Sequence, residues 1–112
     1  KADDLKEIAA RLRGFRGRTH HLHSGAAFAR DGAVVWRHVD TAALSVRAFS
    51  EAWLATYLEA EGAALTGVVG GYRLEGPGAQ LFARIEGDYF TILGLPLWAV
   101  LEALRDQGVI DR

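Results

Sequence analysis

The stretch 19-THHLHSGAAFAR-30, Asp31-Gly32, 33-AVVWRHVDTAALSV-46 decides the fold. Asp-Gly between two runs rich in β-branched and aromatic residues is the composition of a two-residue type I′ turn, which needs positive φ at both central positions. The stretch therefore reads as one antiparallel hairpin. If Arg30 faces Ala33 across the turn, His23 falls opposite Asp40 and Gly25 opposite His38, with His21 next along on the same face. Three imidazoles and a carboxylate would then share one patch, suited to zinc or to a His-Asp proton relay. The alternative is a solvated sheet face with one cross-strand hydrogen bond, and a one-residue change of register dissolves the patch.

Working outward, Leu5, Ile8, Leu12 and Phe15 recur at helical spacing. Asp3 and Asp4 stand early and Arg11, Arg13 and Arg16 late, as the helix dipole favours, which predicts a helix from about Asp3 to Phe15. After the hairpin, Ser50 is placed to cap a helix that Phe49 staples onto Leu54 and Gly62 ends. The stretch 66-TGVVGGYRLEGPG-78 carries five of the 13 glycines and reads as a loop with close backbone approaches. Beyond it, 80-QLFARI-85 and 89-YFTIL-93 around Glu86-Gly87-Asp88 predict a second hairpin. Pro96 then opens a helix whose stripe is Leu97, Val100, Leu101 and Leu104 and which Gly108 closes. The order predicts an α/β (α+β) fold, a mixed β-sheet built from two hairpins with flanking helices, over residues 1–112 as a single domain.

Composition narrows the function. With 13 Lys+Arg against 14 Asp+Glu, the net charge of -1 leaves no basic excess to displace counterions, so a nucleic-acid polymer is not an expected partner. The absence of cysteine removes disulfides, thiolate metal sites and thiol nucleophiles, in keeping with the cytoplasm. The run 89-YFTILGLPLWAVLEAL-104 is broken by Gly94, Pro96 and Glu102, short of the ~20 residues a spanning helix needs, so no membrane is expected as partner. No G-x-S-x-G elbow is present, and His23 and Ser24 point to opposite faces of a strand, which argues against a serine hydrolase. The glycine-dense loop lacks both the P-loop Lys-Ser/Thr and the strand-GxGxxG-helix arrangement. Within that loop Glu75, next to Gly76-Pro77-Gly78 and two residues from Arg73, is able to hold a divalent cation or act as a base, or is a solvated turn residue paired loosely with Arg73.

Taken in order, 17-GRTHHLHSG-25, Phe49 and Tyr57, 70-GGYRLEGPG-78 and 84-RIEGDYFTILGLPL-97 resemble the Maf family of nucleotide pyrophosphatases, also called septum formation inhibitor proteins. The resemblance spans essentially the whole chain. It implies the C-terminal portion of a Maf/ITPase-like fold that hydrolyses modified or non-standard nucleoside triphosphates to monophosphate and pyrophosphate. A divalent cation (Mg²⁺ or Mn²⁺), a nucleoside triphosphate substrate, a homodimer and a cytoplasmic location come with it. Lys1 falls on the lysine of the family's Gly-Lys-Pro motif and would be a phosphate-side catalytic cation. Glu75 falls on the Gln/Glu of the glycine loop and would be a catalytic polar group, with Arg73 a substrate-binding neighbour. No protein side chain is assigned as a dedicated metal ligand. The chain departs from the family pattern in Ala2 after the lysine and in Gly67-Val68 where Asp-Lys is usual. The Ser-x-Ser-Pro-Arg-Arg and Gly-x-Asp-Thr motifs of the family's N-terminal part are absent from these residues, so this fragment alone is expected to have little activity. The competing expectation is a non-catalytic dimerisation or ligand-binding module.

Overall fold

The computed structural model describes residues 4–66 and 72–112. Helix α1 (Leu5–Phe15) starts where Asp4 accepts a hydrogen bond from the Glu7 amide at 2.8 Å, and it buries Ile8, Ala9 and Leu12. Strands β1 (Thr19–Arg30) and β2 (Ala33–Val46) form the expected hairpin, with φ of 52° at Asp31 and 80° at Gly32 as a type I′ turn requires. Helix α2 (Glu51–Glu61) is capped by Ser50, whose hydroxyl accepts from the Trp53 amide. Strand β3 (Phe82–Glu86) completes a three-stranded sheet in the order β1-β2-β3.

The second hairpin does not form. Residues 89–93, expected as a strand, are the short helix α3 (Tyr89–Leu93). Asp88 accepts from the Phe90 amide at 2.7 Å, and Gly94 closes the turn at φ 116° with its amide bonded to Phe90 O. A cap at each end outweighs the β propensity of Tyr, Phe, Thr and Ile. β3 pairs with β2 instead. Helix α4 (Leu97–Asp106) follows Pro96 as predicted.

The register of the long hairpin also differs from the expected one. His23 Nδ1 and Thr41 Oγ1 are hydrogen bonded at 2.8 Å, and Thr19 Oγ1 meets Ser45 Oγ at 2.9 Å. These pairs place His23 opposite Thr41 rather than Asp40. A turn joining Arg30 to Ala33 reaches this pairing only if β2 accommodates one additional residue near the turn, as a bulge does. From Trp36 to Val46 the less exposed positions of β2 are chiefly the even-numbered ones, as they are from His20 to Phe28 in β1.

Contacts divide the chain into two compact units, residues 1–20 with 44–85 and residues 21–43 with 86–112. The first has a core of Ile8, Leu12, Leu44, Val46, Phe49, Leu54, Tyr57, Leu65, Tyr72 and Leu81. In the second, Ala42, Thr91, Pro96 and Ala103 are buried, and buried Ser24 donates to Thr91 O at 2.6 Å. No helix among the described residues is long and apolar enough to cross a membrane.

Candidate active site

The one-residue shift separates the histidine patch. His21 and His23 lie on the exposed side of β1, whereas His38 and Asp40 alternate onto the other side of β2 and bond each other at 2.7 Å. Among the described residues no group of three or more His, Cys, Asp or Glu could hold a metal ion. The shared patch of His21, His23, His38 and Asp40 is therefore not formed.

The first compact unit brings other residues together. His20 stacks on Phe15, with ring centroids 4.3 Å apart, and its Nε2 is hydrogen bonded to the Tyr72 hydroxyl at 3.2 Å. Tyr72 also packs edge-on against Phe82. The strand start Gly17-Arg18-Thr19-His20 and the loop residue Tyr72 thus meet at one point, although 52 residues separate the bonded pair. Burial pushes the Tyr72 hydroxyl above its ordinary pKa, so it stays a phenol able to donate or accept.

Directly after Tyr72 the chain makes a tight turn. The Gly76 amide donates to Arg73 O at 3.1 Å, and Pro77–Leu81 continue as a 3-10 turn. Gly78 passes so close to Arg73 that a Cβ there would lie 2.5 Å from Arg73 O and 2.9 Å from Arg73 N, a position open only to glycine.

Arg73 is held from below by Glu61, the last residue of α2. Arg73 Nη2 donates to Glu61 Oε2 at 2.9 Å, with the Glu61 side chain 5% exposed and the Arg73 side chain 39% exposed. The hydrogen bond to Glu61 is the main reason the guanidinium is pushed above its ordinary pKa, and the negative charge of Glu75 adds to it. Arg73 therefore lies under the influence of two carboxylates, one buried and one at the surface. Tyr57, one helical turn before Glu61, has its hydroxyl pushed well up, first by burial and then by the Glu61 charge.

Of the expected site residues, the structure places Arg73 and Glu75 on this turn, with Glu75 exposed. Lys1 lies outside the described residues, as does the 67–71 part of the glycine-rich stretch. Glu61 was not among the sequence candidates. Its signal is an acidic side chain in the last turn of a helix that carries no basic residue there, opposed to the helix dipole.

Residues 1–107 match the Maf-like protein family. The chain belongs to that family. The Maf-like chain is 56% identical over 110 residues to a protein of Caulobacter vibrioides named nucleoside triphosphate pyrophosphatase, covering 98% of this chain and 55% of that protein. A protein of the same name from Granulibacter bethesdensis is 57% identical over 110 residues, covering 98% of this chain and 56% of its own length. A 7-methyl-GTP pyrophosphatase of Rhizobium etli is 48% identical over 111 residues, covering 99% of the chain and 56% of itself. The chain thus spans about half the length of the curated relatives it matches.

Mg²⁺ is usually held by one or two carboxylates together with substrate phosphates and water, and Glu75 offers one exposed carboxylate of the right hardness.

Proposed function

We propose that the protein carrying this Maf-like chain is a nucleoside triphosphate pyrophosphatase acting on modified or non-standard nucleotides. The observation that supports it most is a turn on which a partly exposed arginine, anchored by a buried carboxylate, stands beside an exposed glutamate. Water attacks the α-phosphorus, the bond to the bridging oxygen breaks, and monophosphate and pyrophosphate leave. Arg73 faces the phosphate oxygens and offsets their charge, as a planar guanidinium does well. Glu75 accepts hydrogen bonds from the attacking water and orients it, or would hold a Mg²⁺ or Mn²⁺ ion. When bound, such a cation neutralises charge on the phosphates. Lys1 is assigned the role of a second phosphate-side cation. The same proposal includes a homodimer in the cytoplasm, with this chain forming the C-terminal part of the fold.

The test is pyrophosphate release from a panel of standard and modified nucleoside triphosphates with Mg²⁺ or Mn²⁺. It is run on this chain and on the gene product extended upstream of Lys1. The extended protein is expected to turn over and to lose about a hundredfold in kcat on Glu75→Ala. No turnover by a folded extended protein would turn the assignment to a non-catalytic binding or dimerisation module.

A further inference from the structure

The Glu61–Arg73 pair is an unusual way to end a helix. Glu61 is 8% exposed overall, one of its carboxylate oxygens takes the Arg73 contact, and the other, Oε1, is buried without a hydrogen-bond partner among the described residues. Arg73 Nε is likewise buried without one. A carboxylate withdrawn from water and only half satisfied costs stability, and an apolar residue of similar size would fill the space at less cost. What the pair supplies is position. A Cβ at Gly76 would sit 3.5 Å from Glu61 Oε1 and 3.7 Å from Arg73 Nη2, so the carboxylate lies directly beneath the 73–76 turn. The same turn is closed by the Gly76 amide on Arg73 O and crossed by Gly78 against the Arg73 backbone. Arg73 is thus fixed at its backbone by the turn and at one guanidinium nitrogen by Glu61, while more than a third of its side chain stays open to solvent.

We propose that Glu61 is a positioning residue for triphosphate binding. It touches no substrate itself, but holds the Arg73 guanidinium in the orientation that meets the phosphates and steadies the turn that presents Glu75. The inference rests on the pyrophosphatase reading and adds to it a residue that acts through another. Two consequences follow from the geometry. Loss of the Glu61 charge frees the guanidinium to rotate, which weakens substrate binding more than it slows the chemical step. Once Arg73 is gone, Glu61 has nothing left to orient.

The experiment is steady-state pyrophosphate release by the extended gene product in the unmodified form and as Glu61→Gln, Arg73→Met, the double variant and Glu51→Gln. Melting temperatures are measured alongside. E61Q and R73M are each expected to raise KM for the triphosphate about tenfold with kcat changed less than about threefold. The double variant should match R73M alone, because the two act as one unit. E51Q, which breaks an exposed ion cluster on the same helix, should leave KM unchanged. A fall in the melting temperature of E61Q with unchanged KM would make the pair merely structural and overturn the proposal, as would losses that multiply in the double variant. Should E61Q fail to fold, Glu61→Asp carries the test, since it keeps the charge on a shorter stem. A KM raised severalfold supports positioning, and an unchanged KM overturns it. Absence of turnover in the unmodified protein removes the pyrophosphatase reading together with this inference, whereas normal turnover with an unaltered E61Q removes this inference alone.

Discussion

Helix α2 carries a glutamate at each end, and the two are held in opposite ways. Glu51, in the first turn, is 57% exposed at its side chain and meets Arg13 Nη2 at 2.9 Å and Arg16 Nη1 at 2.5 Å. Both of its oxygens are paired, and its charge lies where the helix dipole favours a negative group. Glu61, in the last turn, is buried, has one arginine contact, leaves one oxygen unpaired among the described residues and opposes the dipole. Water could replace most of what the Glu51 cluster provides, so little stability depends on it. Glu61 has given up water for a single directed contact, which costs free energy and yields a defined geometry at Arg73. One helix thus shows that the number of ion pairs on a carboxylate is a poor guide to how much the molecule relies on it.

The largest expected difference between the two ends comes from alanine. Glu61→Ala leaves the Arg73 guanidinium without its buried partner and opens space beneath the 73–76 turn. Its melting temperature should fall by a few degrees, since the loss leaves a gap under the turn and removes the one carboxylate contact of Arg73, whose own charge stays partly in water. Glu51→Ala should shift the same transition far less. Equal shifts in thermal denaturation would break the comparison.

A smaller effect comes from approaching the same turn through its backbone. Gly78→Ala places a methyl carbon 2.5 Å from Arg73 O, where backbone rather than a flexible side chain must move. The expected loss is about 1–3 kcal/mol, the usual scale of overpacking. Because the displaced atoms belong to Arg73, KM for the triphosphate should rise along with it. A Gly78→Ala protein with unaltered denaturation and KM would mean that the turn tolerates motion and that Glu61 has no fixed geometry to defend.

The same contrast between local and distant contacts decides what was readable in the sequence. Asp31-Gly32 announced its turn because only residues tolerant of positive φ fit a type I′ geometry, and the observed angles agree. The additional residue on β2 carries no such mark, since the run from Ala33 to Trp36 is chemically suited to regular and bulged strand alike. That single residue moves His38 and Asp40 away from His23. At 89–93 the caps were visible in Asp88 and Gly94, but a run of Tyr, Phe, Thr and Ile outweighed them in the strand prediction. Arg73 and Glu75 were found as neighbours on a glycine-rich loop. Glu61 was not, because its contact with Arg73 spans twelve residues and is created by packing the loop against the end of α2.

The smallest expected effect is the one that best isolates Glu51. Its hydrogen bonds to Arg13 and then Arg16 hold its carboxyl below the ordinary value of 4.5. A carboxyl whose folded pKa is depressed stabilises the fold fully above its unfolded pKa and loses that contribution as the pH falls through the folded value. The difference in stability between the unmodified chain and Glu51→Gln should therefore be present at neutral pH, begin to shrink below about pH 4.5 and vanish in stronger acid. Because the cluster is exposed, salt at about 1 M should shrink it at neutral pH too, where the screening length is only about 3 Å. Denaturation of both proteins across pH and salt measures this directly. A difference that persisted in acid and in high salt would mean that Glu51 is held by something other than its two arginines, and the two ends of α2 would then be less unlike than their exposure implies.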